Sequence, residues 1–140
     1  MKVNNKVEIK QKFSFEAPIL NAALKIKNKA TELEQLDTID LNEILAPDPK
    51  NIFMVKVNGE SMIDENIFDG DVLLVKSGNS PKDGDVIISS LNGEMTVKTY
   101  RVIEKKTYLF SANKKFLPIE IFPFWQFEIQ GIVKHVIHQA

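Results

Sequence analysis

The sequence predicts a mainly β fold, an antiparallel, strand-rich domain that follows a short N-terminal arm. From residue 51 onward, short runs of β-branched and aromatic residues alternate with turn dipeptides such as Asn58-Gly59 and Asn92-Gly93. Strands at such spacing are typical of a sandwich or a partly closed barrel. A chain of 140 residues is long enough for one domain of this kind with its own core.

The Asn92-Gly93 dipeptide is the strongest local signal in the chain. Both central residues of a type I′ turn have positive φ, which Asn and Gly tolerate. We therefore expect a hairpin that pairs residues 86–90 with residues 94–100. Upstream, Asp40 is expected to cap a single helical turn.

The predicted arm comprises residues 1–38, and the predicted β domain comprises residues 39–140. Apolar residues recur three or four positions apart between residues 19 and 36, which favours a helix in part of the arm. Alternating lysines in the same segment leave an extended arm open as an alternative.

Charge is unevenly distributed in the first fifty residues, although the net charge is only −1. Residues 1–30 carry seven Lys against two Glu, and residues 31–50 carry six acidic residues against Lys50. The low net charge argues against direct sequence-specific DNA binding, which depends on clustered basic residues. The basic arm could contact nucleic acid or an acidic partner, but a solvated tail is the simpler interpretation.

Composition excludes several classes of protein. The chain has no cysteine, which excludes disulfides, a thiolate nucleophile and Cys-ligated metal sites. No apolar run reaches the roughly 20 residues of a membrane span, and the N-terminus lacks the apolar core of a signal peptide. We therefore expect a cytoplasmic protein without a membrane contact, a metal or a cofactor.

Ser61 raises the question of a nucleophile, because it follows Gly-Glu directly within a turn between predicted strands. A serine hydroxyl needs a base within hydrogen-bonding reach. The two histidines, His135 and His138, are three residues apart, and in a strand such residues face opposite sides of the sheet. A Ser-His-Asp triad or a metal site built on both is therefore not expected.

A lysine with a lowered pKa is the other kind of base that could activate a serine. Lys98 lies in an apolar strand setting, between Val97 and Thr99. Lys56 and Lys134 also lie in predicted strands and could equally face outward. The pattern alone leaves Lys98 open as an ordinary surface residue of a strand.

Two segments resemble the Ser-Lys self-cleavage domain of the LexA and UmuD family of SOS-response proteins. They are VNGESMIDENIFDGDVLLV, residues 57–75, and NGEMTVKTYRV, residues 92–102. The similarity extends from about Ile39 to the C-terminus, and the lack of a helix-turn-helix pattern favours the UmuD branch. The resemblance implies that Ser61 is the nucleophile, that Lys98 is the general base, and that the backbone N–H groups of Ser61 and Glu60 form the oxyanion hole.

The resemblance also implies partners and a product. It implies a homodimer, for which residues 126–137 are the candidate interface, and a RecA-type filament as co-protease. The cleaved form would serve as an accessory subunit of an error-prone, Y-family-type translesion polymerase. The aromatic residues Phe122, Phe124 and Trp125 are expected to cover either the core or a dimer face.

The cleavage bond is where this chain departs from the family. Relatives cut an Ala-Gly or Cys-Gly bond in their own arm, whereas residues 1–50 contain no glycine. The family register places Lys25-Ile26 at that point, and Ala22-Ala23 is the candidate site because its residues are small. Otherwise the arm stays whole, and the chain is a non-cleaving, dimeric binding module or a peptidase that acts on other chains.

Overall fold

A computed structural model describes residues 1–8, 16–18 and 38–140 of the chain. It divides into two compact units. One unit joins Met1–Ile9 to Lys50–Ala140, and the other is Lys10–Pro49. Within the described residues, no helix is long and apolar enough to cross a membrane.

The smaller unit contains two short paired strands and one helical turn. Strands β2 (Glu16–Pro18) and β3 (Thr38–Asp40) pair antiparallel, and helix α1 (Leu41–Leu45) follows directly. The N–H of Asn42 donates to Oδ1 of Asp40 at 2.9 Å, so the predicted cap is confirmed. The predicted helix over residues 19–36 lies outside the described residues.

The larger unit is an antiparallel sheet of eight strands, which confirms the predicted mainly β fold. Its strands are β1 (Lys2–Glu8), β4 (Ile52–Asn58), β5 (Val72–Ser77), β6 (Val86–Leu91), β7 (Glu94–Ile103), β8 (Lys106–Phe110), β9 (Ile119–Ile121) and β10 (Phe127–Ile137). They follow the order β1-β4-β5-β10-β6-β7-β8-β9, and β1 also pairs with β7. This last pairing closes the strands from β1 to β7 into a barrel-like ring. Short 3₁₀ helices lie at Pro49–Asn51 and Ile63–Glu65.

Strand β1 therefore belongs to the barrel unit, although residues 1–38 were predicted to form a separate arm. It pairs antiparallel with β4, with Lys2 opposite Asn58 and Val3 opposite Val57. The reason is hydrophobic burial, because Met1 lies among the buried core residues and Val3 packs against them. The sequence pattern did not reveal this pairing.

The core lies inside the ring and follows the two-residue period of the strands. In β4, Phe53, Val55 and Val57 are buried, while Lys56 between them is exposed. The inward-facing residues of the other strands complete the core, among them Leu73, Val75, Ile88 and Val97.

The hairpin between β6 and β7 determines the position of Lys98. Asn92 and Gly93 have φ values of 51° and 85°, and Leu91 pairs with Glu94, so the predicted hairpin is confirmed. The resulting register places Lys98 opposite Ile87, whose side chain is fully buried.

Strand β10 pairs with β6 over its first half and with β5 over its second half. The change of partner occurs at Gly131. A Cβ there would lie 2.5 Å from Cγ1 of Val75 and 2.6 Å from the carbonyl oxygen of Lys76, so only glycine fits. Gly131 and Ile132 pair with both neighbours, whereas the rest of each half of β10 pairs along one edge.

Candidate active site

Ser61 lies in a turn directly after β4, where the chain leaves the barrel ring. Gly59 has a φ of 100°, a conformation that glycine adopts without strain. The N–H of Gly59 donates to Oδ1 of Asp69 at 2.9 Å, and the N–H of Gly70 donates to the carbonyl of Val57 at 2.8 Å. The Asp-Gly-Asp turn thus stabilises the turn that presents the serine.

A second set of contacts holds this turn from the side of the segment after β8. The side-chain amide of Asn113 donates to the carbonyl of Glu60 at 2.8 Å, and the N–H of Ala112 donates to Sδ of Met62 at 3.4 Å. Asn113 is buried, as is Met62. Sequence reasoning missed Asn113, because only its burial distinguishes it from an ordinary loop residue.

The structure brings Ser61 and Lys98 together. Nζ of Lys98 lies 3.0 Å from Oγ of Ser61, although the two residues are 37 positions apart. Both are buried, with 7% of Lys98 and 3% of Ser61 exposed. Lys56 and Lys134, the two other lysines that the sequence placed in strands as alternatives, are exposed.

Burial is the main influence on the charge of Lys98. It lowers the pKa of the ammonium group from its usual 10.5, while a hydrogen bond with the Met1 α-amine and the charge of Glu94 act in the opposite direction. Within the described residues, no carboxylate forms an ion pair with Lys98. The Phe116 ring centroid lies 5.8 Å from Nζ and adds to the apolar surroundings. Lys98 can therefore reach the neutral form that a general base requires.

The N-terminus of the chain also lies at this site, which the sequence did not suggest. The α-amine of Met1 donates to Oγ of Ser61, and the carbonyl of Met1 accepts from the N–H of Val97 at 2.8 Å. Burial, and then the hydrogen bond and charge of Lys98, lower the pKa of this amine from 8.0 to about 5. Two amines therefore surround one hydroxyl.

The remaining groups at the turn are backbone donors. Among the described residues, no acceptor is paired with the N–H of Glu60 or the N–H of Ser61. Free N–H groups next to a nucleophile are what an oxyanion hole requires.

The histidines take no part in this site. His138 follows the end of β10, so the alternation argument does not apply to it, and its Nδ1 lies 2.6 Å from Oδ1 of Asp71. In the described ranges, neither His138 nor His135 hydrogen-bonds to Ser61. No cluster of three His, Asp or Glu residues that could hold a metal occurs in the part of the chain that the structure describes.

The two positions considered for a cleavage bond, Ala22-Ala23 and Lys25-Ile26, lie outside the described residues.

Phe122, Phe124 and Trp125 form an aromatic cluster, with the Phe122 and Trp125 ring centroids 5.2 Å apart. Phe124 is 82% exposed, so this cluster lies at the surface.

The comparisons with known proteins identify the family of this chain. The family model described as Peptidase S24-like matches residues 18–134. A LexA repressor of Alcanivorax borkumensis is 33% identical over 103 residues, which are 69% of this chain and 50% of that protein. A LexA repressor of Dechloromonas aromatica is 40% identical over 93 residues, 66% of this chain and 46% of that protein.

A LexA repressor of Stenotrophomonas maltophilia is 36% identical over 87 residues, 62% of this chain and 39% of that protein. The matched part of this chain thus spans half or less of these relatives. The family model nevertheless covers well over half of the chain, and the predicted resemblance to the LexA and UmuD family is confirmed. The chain belongs to the Peptidase S24-like family.

Proposed function

We propose that this chain is a serine peptidase that cleaves its own N-terminal arm, with Ser61 as nucleophile and Lys98 as general base. The observation that carries the proposal is the 3.0 Å contact between Lys98 Nζ and Ser61 Oγ, two buried groups. A lysine that is buried beside a hydroxyl, and that forms no ion pair with a carboxylate in the described part of the chain, has the chemistry of a base rather than of a structural ion pair.

The reaction would proceed by proton transfers through Lys98, which gives the proton taken from Ser61 to the departing amine and the proton taken from water back to Ser61 Oγ. Neutral Nζ takes the proton of the Ser61 hydroxyl while Oγ bonds to the carbonyl carbon of the peptide. The N–H groups of Ser61 and Glu60 stabilise the negative oxygen of the tetrahedral intermediate. Lys98 then gives its proton to the departing amine as the C–N bond breaks. Water, deprotonated by Lys98, hydrolyses the ester and restores Ser61.

The biological role that we propose is that of a UmuD-like SOS-response protein. Ala22-Ala23 is the proposed bond in the arm, and a RecA-type filament is the proposed co-protease. The product would be a cytoplasmic homodimer, joined through residues 126–137, that serves as accessory subunit of a Y-family-type translesion polymerase. The curated relatives are named repressors, but these 140 residues carry no recognisable helix-turn-helix pattern and a net charge of −1. We therefore propose no direct sequence-specific DNA binding.

The test is intact-mass spectrometry after incubation at about pH 10, where a lysine of near-normal pKa loses much of its charge. The parent should yield two fragments whose masses identify the bond, and Ser61→Ala should remain whole. A second incubation with RecA filament at neutral pH should give the same fragments. If the parent remains whole under both conditions, the autoprotease proposal is wrong.

A second candidate is a non-cleaving binding module of the same fold. The absence of glycine from residues 1–50 favours it, as does the Met1 amine, which lies against the Ser61 hydroxyl. This candidate predicts a whole arm in a protein that still dimerises and binds a polymerase. A peptidase acting on other chains would instead cut an added peptide while its own arm remains whole.

A further inference from the structure

The first strand occupies the cleft beside Ser61 in the manner of a bound peptide. Lys2 pairs with Asn58 of β4 and with Thr96 of β7, so β1 lies between the two strands that carry the turn and the base. The N–H of Val97 donates to the carbonyl of Met1 at 2.8 Å. Such main-chain pairing is how extended peptides add to an open edge of a sheet.

The Met1 nitrogen is hydrogen-bonded to Oγ of Ser61, and Lys98 Nζ lies 3.0 Å from the same oxygen. In a peptide, a carbonyl carbon would be attached to this nitrogen at about 1.3 Å. That carbon would then lie next to the nucleophile. The α-amine of Met1 thus stands where the departing amine of a cleaved bond would be.

The side chain of Met1 occupies an apolar pocket. Only 6% of the residue is exposed, and it belongs to the same buried cluster as Val57, Met62 and Val97. A Cβ on Gly59 would lie 3.8 Å from Cα of Met1, so the turn passes close to the strand. The pocket accepts a full methionine side chain, and glycine is not required at this position.

We propose that this pocket is the subsite for the residue on the carboxyl side of the bond that Ser61 attacks, and that residues 1–8 fill it as a product strand. The subsite selects an apolar, unbranched residue followed by an extended segment. This inference rests on the proposed peptidase function, since it uses the same Ser61 and Lys98. A further consequence is that any other peptide must displace β1 before it can reach the serine.

The first experiment adds a short extension that ends in alanine ahead of Met1, so that the peptide bond between alanine and Met1 lies beside Ser61. At about pH 10, where even a lysine of near-normal pKa is partly neutral, we expect Ser61-dependent loss of the extension and a product that begins with Met1. The carbonyl carbon of the added alanine first bonds to Oγ of Ser61, whose proton passes to Lys98. The Met1 amine then leaves with that proton as the C–N bond breaks. Water finally hydrolyses the ester and releases the extension.

Matched variants of the extended chain test the pocket. Met1→Asp should lower the rate of this cut at least tenfold, because an aspartate side chain would lose hydration in an apolar pocket. Lys134→Gln is the control, because Lys134 is an exposed lysine of β10, and it should be cut at the parental rate. The extended chain with Ser61→Ala should remain whole.

The second experiment needs no catalysis and uses the unextended chain. Acetic anhydride should label the α-amine of Met1 at least tenfold more slowly in the parent than in Val3→Asp, which places a charge against the core and releases the strand. Lys134→Gln should be protected like the parent. This measurement shows whether the cleft is occupied even if Ser61 is inactive.

The outcomes separate this inference from the proposed function. If the chain is cut elsewhere but not before Met1, the subsite proposal is wrong, whereas the proposed peptidase function is unaffected. Equal labelling of Met1 in the parent and in Val3→Asp also overturns it. If no Ser61-dependent cut occurs anywhere, the proposed function and the subsite both fail, whatever the labelling result.

Discussion

The segment between β4 and β5 has a buried polar residue near each end, and the two residues have different surroundings. At one end, the carboxylate of Asp71 accepts from the N–H of Phe68 at 2.8 Å and lies 2.6 Å from Nδ1 of His138. At the other end, Ser61 and Lys98 are buried in apolar surroundings, and no described carboxylate is ion-paired with the lysine.

The difference shows how the same degree of burial can stabilise a fold or prepare a reaction. A buried carboxyl group whose oxygens accept hydrogen bonds holds the chain in place. A buried amine without an opposite charge is pushed toward its neutral form, so its pKa falls. We interpret Asp71 as the anchor of the segment and Lys98 as its reactive partner.

The greatest loss of activity is expected for Lys98→Met. Self-cleavage should fall by about 10³-fold or more, because the other amine at the serine hydroxyl, that of Met1, must leave with β1 before another peptide can enter. The midpoint of thermal unfolding should stay the same or rise, since the variant removes a buried amine with which no described carboxylate is ion-paired. Intact-mass time courses and a thermal melt measure the two effects.

Lys56→Met is the matched control for that variant, because Lys56 is an exposed strand lysine. It should cleave at the parental rate. Retention of more than a tenth of the parental rate by Lys98→Met would show that Lys98 is not the base.

A loss of stability rather than of chemistry is expected for Asp71→Ala. The N–H of Phe68 and the ring of His138 would lose their acceptor, at a cost on the order of 2–3 kcal/mol in the free energy of unfolding. Urea unfolding measures this change. His138→Gln is the comparison, and it should cost less than about 1 kcal/mol because the His138 side chain is 53% exposed. Equal costs for the two variants would contradict the role of Asp71 as anchor.

A smaller effect on activity is expected for Asn113→Ala, because Asn113 contacts the carbonyl of Glu60 and not the reacting atoms. Cleavage should slow about tenfold, which corresponds to about 1.4 kcal/mol. The midpoint of the pH–rate profile should stay in place, because the pKa of Lys98 would be unchanged. A shifted midpoint would assign Asn113 an electrostatic role instead. Asn79→Ala, at an exposed turn, serves as control.

The smallest effect is expected for the pH dependence of Met1 docking. Its amine faces Lys98, Glu94 and Lys2, and its pKa of about 5 when docked is below the 8.0 of a free terminus. The undocked amine therefore binds more protons between these values, so docking weakens as pH falls from 8 toward 5 and is constant above 8. NMR of the Met1 methyl group should follow this change, and docking that strengthens toward low pH would contradict it.

Local sequence determined much of the fold. The Asn92-Gly93 hairpin and the Asp40 cap were predictable because turn and cap geometry depend on a few adjacent residues. The alternation of β4 was likewise readable. The pairing of Ser61 with Lys98 was expected from the resemblance of two motifs, whereas the strand pattern alone left Lys98 open as a surface residue.

Only the tertiary structure decided which polar groups are buried and what surrounds them. Lys56 and Lys98 both lie in strands; the exposure of Lys56 follows the alternation of β4, whereas the burial of Lys98 depends on the closed ring. The contact of Asn113 with the serine turn and the placement of Met1 in the cleft join residues 53 or more positions apart. Such contacts depend on how the strands close around the core, and desolvation acts only once that closure exists.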